Sequence, residues 1–291
     1  MKIFLDGKYV DEAQATISVF DHGVLYGDGI FEGIRAYNGR VFRLDEHIDR
    51  LFMAATAICL VIPYTKKEMA EIIVNTCKIN NLSDCYVRLV ITRGKGDLGI
   101  SPTKCPKPTT FCIATSIALY TTEMYENGIA VITAMQRRNK PSTIDPQIKS
   151  LNYLNNILAK IEANRLGAPE ALMLNHDGIV CEATGDNVYI VKDNVVYTPP
   201  IYVGCLDGIT RKVIIECCEK LGIKICERQF TLFNVYNADE CFLSGTAAEA
   251  IAVTSVDGRT IGTGKCGPIT AKILEAFRAY AKTEECGTKI Q

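Results

Sequence analysis

The 291-residue chain has no tryptophan, only three histidines and no C-x-x-C spacing. His22, His47 and His176 lie far apart without metal-ligand spacing, so no metal site is expected. The thirteen cysteines are odd in number and scattered through apolar segments. That excludes a disulfide framework and points to a reduced compartment, the cytoplasm, with cysteine used as a small buried hydrophobe. Net charge is almost absent: 32 basic against 33 acidic residues leave −1. Composition therefore gives no reason to expect nucleic acid or a membrane surface as partner. Long apolar runs are missing too. Residues 58–62 stop at Pro63, far short of the roughly 20 residues a membrane-spanning helix needs. The opening MKIFLDGKYV reaches charge and glycine too soon for a signal peptide. What is there is 48% hydrophobic and 22% charged, the composition of a soluble globular protein with one large or two ordinary domains.

Alternation and turn chemistry predict a hairpin over 2–10 through Asp6-Gly7, a strand over 26–37, and a return strand from Val41 after the hairpin signal Asn38-Gly39. Helical spacing follows over 44–59 and 66–80, then strands over 85–92, 109–115 and 129–134. Periodicity is lost over 121–127, read as a linker between a domain at 1–120 and another at 128–291. In the second domain, strands are expected over 171–174, 179–182, 187–191, 195–198, 223–227 and 240–243. Helices are expected from Leu151 to Leu166, from Gly208 and over 268–282. Gly94-Lys95-Gly96-Asp97-Leu98-Gly99 matches G-x-G-x-x-G in form. No helix can start within it, because Pro102, Pro106 and Pro108 follow, so it reads as a loop and not a dinucleotide fingerprint.

Several residues could carry chemistry. Lys149 and Tyr153 stand at i and i+4 at the start of a helical pattern. They share a face if the first turn includes the lysine. An amine and a phenol so placed could serve a carbonyl cofactor, or they could be an ordinary surface charge and a packing ring. Gly208-Ile209-Thr210 opens a helix whose free N–H groups suit an anion, and Ser244-Gly245-Thr246-Ala247 ends a strand in small residues and hydroxyls. Capping and strand-end turns use the same residues. Glu182 ends a strand and could keep a heteroaromatic nitrogen protonated. Period two sets Phe31, Gly33, Arg35 and Tyr37 on one strand face, with Ile30, Ile34 and Ala36 on the other. It likewise sets Tyr86, Arg88 and Val90 opposite Val87, Leu89 and Ile91. The faces bearing arginine are either solvated or turned to a ligand.

The segments YGDGIFEGIR (26–35), EHIDRL (46–51), YVRLVITRG (86–94), GDLG (96–99), IKSLNYLNN (148–156), EATGDN (182–187), GITR (208–211) and SGTAAE (244–249) resemble, in order, those of the class IV, fold-type IV aminotransferases. Within them the chain is most similar to the branched-chain amino acid aminotransferases. The resemblance implies an α/β (α+β) two-domain fold, with a small N-terminal α/β domain and a larger C-terminal domain forming a pseudo-barrel. It implies pyridoxal 5′-phosphate between them and a homodimer or higher oligomer. It makes Lys149 the Schiff-base lysine, and sets Tyr153 on the cofactor's phenolic oxygen and Glu182 on its pyridine nitrogen. Arg50, the Ile209 and Thr210 amides and Thr246 hold the phosphate. Gly185, Asp186, Asn187, Leu206, Gly208 and Gly245 complete the cofactor site.

Tyr26, Phe31, Gly33, Arg35, Tyr86 and Arg88 are implied to line the substrate pocket. Arg88 accepts the distal carboxylate of glutamate, and the Thr246 and Ala247 amides take the α-carboxylate. Gly96 to Gly99 would be offered to a partner subunit. The expected reaction moves the amino group of L-leucine, L-isoleucine or L-valine to 2-oxoglutarate, within branched-chain amino acid biosynthesis. D-amino acid aminotransferases also resemble IDPQIKSLN, but they carry an Arg-x-His clamp where this chain has Arg88 and no histidine. An aminodeoxychorismate lyase or a non-catalytic cofactor-binding protein could use the same scaffold. Some branched-chain members place a tryptophan near Ser116 to Leu119, at the pocket's outer wall, and this chain has none.

Overall fold

The computed structural model describes residues 1–116 and 120–290. The stretch Ser116 to Leu119, where a tryptophan was considered, therefore falls largely outside the described residues. The chain divides into two compact units. The first holds Met1–Ile117 with Ile148–Asn152 and Ala281–Gln291; the second holds Ala118–Gln147 with Tyr153–Tyr280. Among the described residues no helix is long and apolar enough to cross a membrane.

The first unit begins with the hairpin β1 (Lys2–Leu5) and β2 (Lys8–Asp11), then a short helix α1 (His22–Tyr26), β3 (Gly29–Tyr37) and β4 (Arg40–Phe42). Helices α2 (Leu44–Ala57) and α3 (Lys66–Ile79) follow, then β5 (Cys85–Thr92) and β6 (Thr109–Thr115). Asn38 and Gly39 both take positive φ, as the tight turn between β3 and β4 requires. A further strand at Gly287–Lys289 pairs with β4 and makes the sheet seven-stranded and antiparallel throughout, in the order Gly287–Lys289, β4, β3, β5, β6, β1, β2. Ile30, Ile34, Ala36, Val87, Leu89 and Ile91 face α2 and α3 in one core. Phe31, Gly33, Arg35, Tyr86 and Arg88, of opposite parity, fall on the other face.

In the second unit, residues 121–127, expected as a linker, are helical: Thr121 caps α4 (Thr122–Asn127) by accepting from the Met124 N–H. Then come β7 (Ile129–Thr133), α5 (Leu154–Arg165), β8 (Glu170–Leu174), β9 (Val180–Ala183), β10 (Asn187–Lys192) and β11 (Val195–Thr198). The remainder is α6 (Ile209–Lys220), β12 (Ile225–Glu227), α7 (Leu232–Tyr236), β13 (Glu240–Gly245), β14 (Glu249–Val256), β15 (Arg259–Thr260) and α8 (Pro268–Ala281). A mixed sheet runs β12, β11, β10, β13, β14, β7, β8, β9, with β15 on β14. The last strand, β9, turns back through Thr184 to Asp186 into β10, where the Ala183 N–H donates to the Asp186 carbonyl at 2.7 Å. The sheet curls on itself around a core that includes Val188, Leu243, Ile251 and Val253.

Candidate active site

In the first unit Lys149 is not on a helix. Residues 149–151 run extended beside the start of β3: the Phe31 N–H donates to the Lys149 carbonyl at 2.9 Å and the Leu151 N–H to the Gly29 carbonyl at 2.9 Å. Ser150 bridges to Ile30. The i, i+4 helical pairing of Lys149 with Tyr153 is thus corrected: α5 starts at Leu154, with Tyr153 at its N-cap, and the two residues belong to different units. Two glycines admit this segment. A Cβ at Gly29 would stand 2.7 Å from Leu151 Cδ1. Gly27, left-handed at φ 69°, closes α1, and its carbonyl accepts from Asn152 Nδ2 at 2.9 Å.

Phe31, Tyr86 and Arg88, three of the side chains expected at the pocket, gather near Lys149. Lys149 Nζ lies 4.6 Å from the Phe31 ring centroid, and the Arg88 guanidinium also lies 4.6 Å from it. Arg88 Nη2 donates to the Tyr86 hydroxyl at 2.8 Å. In the register of β3 against β5, Gly33 is opposite Arg88 and Arg35 opposite Tyr86. Gly33 makes room for the Tyr86 hydroxyl, since a Cβ there would overlap it. The buried Nε atoms of Arg35 and Arg88 have no hydrogen-bond partner among the described residues. Cationic side chains, an aromatic wall and two buried donors without a partner among the described residues suit a carboxylate at the edge of an apolar surface.

Tyr26 is on α1 and not on β3; its hydroxyl donates to the Leu98 carbonyl. His22 Nε2 meets the Asp97 carbonyl at 2.9 Å, and Gly96 lies against the His22 ring, where a Cβ would stand 2.6 Å from Nε2. Residues 96–99 are loop, as the prolines imply, and α1 clamps them.

Arg50, expected at a phosphate, forms a two-pronged ion pair with Glu32: Nε at 2.8 Å and Nη2 at 2.7 Å from its two oxygens. His47 Nδ1 joins at 2.8 Å. Burial alone would raise the Glu32 carboxyl, but the Arg50 charge and hydrogen bonds, with His47, outweigh it and hold it at about 2. Burial pushes the His47 imidazole down against the pull of Glu32. Sequence reading missed Glu32 and His47. The available signal was a glutamate at the core-facing parity of β3, between Ile30 and Ile34, which needs a buried cation.

In the second unit the expected cofactor residues form a connected network. Glu182, at the end of β9, accepts from Arg138 Nε at 2.6 Å and from the Leu206 N–H at 2.9 Å. Arg138 Nη1 donates to Asn155 Oδ1 at 3.3 Å and Asn156 Oδ1 at 3.2 Å, and Asn156 Nδ2 donates to the Thr184 carbonyl. Arg138 and Asn156 carried no assigned role in the sequence; a buried arginine facing a strand-end glutamate appears only once the chain is folded. Asn187 Nδ2 donates to the Leu206 carbonyl at 2.9 Å, and Asn187 Oδ1 lies so close to Gly208 that a Cβ would overlap it.

Gly208 is the N-cap of α6 and supplies no side-chain cap. The first-turn N–H groups of Ile209 and Thr210 have no partner within the helix, which suits a phosphate. Asp186 stands against Gly245, where a Cβ would again overlap it, and Tyr120 donates to its Oδ2 at 3.4 Å. Burial and the neighbouring Glu170 push the Asp186 carboxyl up to about 7. Gly185 is open above its Cα. Gly245, Thr246 and Ala247 begin the half-exposed turn from β13 to β14.

Each unit by itself carries features that suit pyridoxal phosphate: in the first, an amine over an aromatic wall; in the second, a buried carboxylate with lone pairs beyond its two hydrogen bonds, and a helix start with no side-chain cap.

Known proteins of similar sequence and fold agree with that chemistry. A Methanocaldococcus jannaschii protein provisionally named a branched-chain-amino-acid aminotransferase is 52% identical over 278 residues, covering 96% of each chain. The D-alanine aminotransferase of Bacillus licheniformis is 36% identical, covering 99% of this chain and 100% of that one. The branched-chain aminotransferase structure from Thermoproteus uzoniensis, solved with norvaline, superposes with a TM-score of 0.94 at 37% identity, covering 100% of this chain and 99% of that one. Residues 29–256 match the family described as amino-transferase class IV. The chain belongs to the class IV aminotransferases and is an enzyme of that kind.

Proposed function

We propose that the protein transfers the amino group of L-leucine, L-isoleucine or L-valine to 2-oxoglutarate, using pyridoxal 5′-phosphate in a ping-pong reaction. The observation that carries this reading is the cluster of Phe31, Tyr86 and Arg88 beside Lys149. Phe31 offers an aliphatic side chain an apolar wall. Arg88, at its edge, offers a second carboxylate a guanidinium. One pocket can then accept leucine and glutamate in turn, because a cation parked on aromatic faces need not be stripped of all its contacts when the apolar substrate binds.

Pyridoxal phosphate supplies an electrophilic carbon and a ring that stores the electron pair left when the substrate Cα–H bond breaks. The chain's residues do the rest. Lys149 Nζ would hold the cofactor at its electrophilic carbon and would move a proton at the substrate Cα, as base and then acid. Glu182, oriented by Arg138 and the Leu206 N–H, would keep a proton on the pyridine nitrogen by charge pairing. Tyr153 would donate to the phenolic oxygen. The N–H groups of Ile209 and Thr210, with Thr246 and Arg50, would hold the phosphate. The Thr246 and Ala247 amides would orient the α-carboxylate.

The D-alanine aminotransferase relatives support a second reading, a D-specific enzyme on the same scaffold. The missing histidine two residues from Arg88 speaks for the L-specific one. A homodimer or larger assembly in the cytoplasm completes the proposal. Lys149→Ala tests its chemistry. The purified variant should lose the visible absorbance of lysine-bound cofactor and all transamination; an unchanged spectrum would remove Lys149 from its role.

A further inference from the structure

Among the described residues, most non-glycine positions with positive φ are aspartates and asparagines, the residues that tolerate that region best. Glu249 is not of that kind. It stands at φ 57° where the turn from β13 enters β14, a conformation that glycine takes without strain. Such strain persists only where the surroundings hold it. Here the surroundings are specific and lie within the second unit. Glu249 Oε2 accepts from Arg278 Nε of α8 at 2.8 Å, and the glutamate side chain is only 15% exposed. The Arg278 guanidinium lies 5.0 Å from the ring centroid of Tyr125 in α4. The Tyr125 hydroxyl in turn donates to the Ala248 carbonyl at 2.9 Å. Helices α4 and α8 thus grip the last two residues of the turn. Its first residue is fixed as well, since Gly245 pairs with Glu249 and abuts Asp186.

Between the two grip points stand Thr246 and Ala247, half-exposed, whose N–H groups make no hydrogen bond among the described residues. Everything that shapes the turn touches its ends and leaves those two donors open. We propose that Glu249 and Arg278 are positioning residues: their ion pair holds the Glu249 backbone in the left-handed region and so aims the Thr246 and Ala247 N–H groups at the substrate's α-carboxylate. A glycine at 249 would reach the same φ more easily, but nothing would hold it there. This rests on the reading of those N–H groups as the α-carboxylate cradle, and not on which amino acid the enzyme takes. Every amino donor carries that carboxylate, so loss of the clasp weakens all donors alike. Arg88, which would meet the far end of the substrate, separates donors instead.

The test is single-turnover conversion by the cofactor-loaded full chain, with thermal unfolding by circular dichroism as a readout free of catalysis. Glu249→Gly and Arg278→Ala should each raise the apparent dissociation constant of the donor at least about tenfold. The factor should be the same for every amino acid that the wild type converts. The rate constant at saturation should change by less than about threefold. The double variant should lose no more than either single one, because both remove the same clasp. Glu249→Gly should melt no lower than wild type, since relief of the left-handed backbone offsets a partly exposed ion pair. Unchanged donor affinity in either single variant, losses that differ between donors, or losses that add in the double variant would each overturn the proposal. So would a Glu249→Gly chain that melts well below wild type, because Glu249 would then support the fold and not the cradle. Failure of the branched-chain reading would alter only which donors are converted.

Discussion

In the proposed reaction Arg88 is the residue on which substrate choice would turn. Its guanidinium is held by the Phe31 and Tyr86 rings and by the Tyr86 hydroxyl, while Nε has no partner among the described residues. A carboxylate would complete its bonding; an aliphatic side chain would not need to. Arg88→Ala should therefore lower kcat/KM for glutamate by about 100-fold, the scale of one charge-assisted pair, and for leucine by less than about fivefold. Equal losses in steady-state kinetics with the two donors would remove this role.

Asp186 makes a second prediction. Its carboxyl titrates at about 7 in the folded chain, raised from 3.8 by burial and by Glu170. A raised pKa means the folded state holds the proton more tightly than the unfolded state. The associated stability is full below the unfolded value and is lost as pH rises through 7. Asp186→Asn, which stays neutral, should gain in unfolding midpoint relative to wild type between pH 4 and 7 and level off above. A difference that does not vary with pH would contradict the assignment. Lys149, Arg35 and Arg88 could be named as candidates from the sequence because their motifs are contiguous. Asp186's titration was not, because it depends on Glu170 brought close by the fold.

The elements show where a sequence pattern misleads. Leu151, Leu154, Leu158 and Ile161 recur at helical spacing, so Lys149 reads as the start of a helix. The fold breaks that stretch in two. Gly27 and Gly29 admit Asn152 and Leu151 against β3, and the segment at Lys149 becomes a strand-like edge. Gly27 lies 125 residues before Asn152, so no local periodicity could reveal it. Helices α1 and α7, five residues each, and the strand at Gly287–Lys289 were too short to give a period.

At α6 the local signal did suffice, since Gly208 opens the helix as its position implies. Gly208→Ala should force the Asn187 side chain aside and break its bond to the Leu206 carbonyl, in the chain that aligns Glu182. We expect about 1–3 kcal/mol of lost stability and at least about tenfold weaker binding of pyridoxal phosphate by fluorescence titration. Unaltered cofactor affinity would mean that the glycine serves packing alone.

For the whole molecule, the sequence carried the class of fold and the order of most elements, because each strand is marked by its own alternation and turn. Beyond the local hairpins β1–β2 and β3–β4, it did not carry which strands become neighbours. β7 lies between β14 and β8, and β1 between β6 and β2, through pairings set by long-range core packing. Nor did it assign residues 148–152 and 281–291 to the first unit. Family membership follows from motifs spread across the whole chain, which is why it was visible before folding was considered. In the proposed reading, chirality and side-chain preference would follow from a few side chains around Arg88, since sequences named as branched-chain and as D-alanine aminotransferases are both similar along the whole chain.

The most direct test of the central claim is the half-reaction of the cofactor-loaded enzyme with single L- and D-amino acids, followed by the change in cofactor absorbance. L-Leucine, L-isoleucine, L-valine and L-glutamate should each convert it, and 2-oxoglutarate should reverse the change, while D-alanine leaves the spectrum untouched. Conversion by D-alanine with none by L-valine would contradict the account.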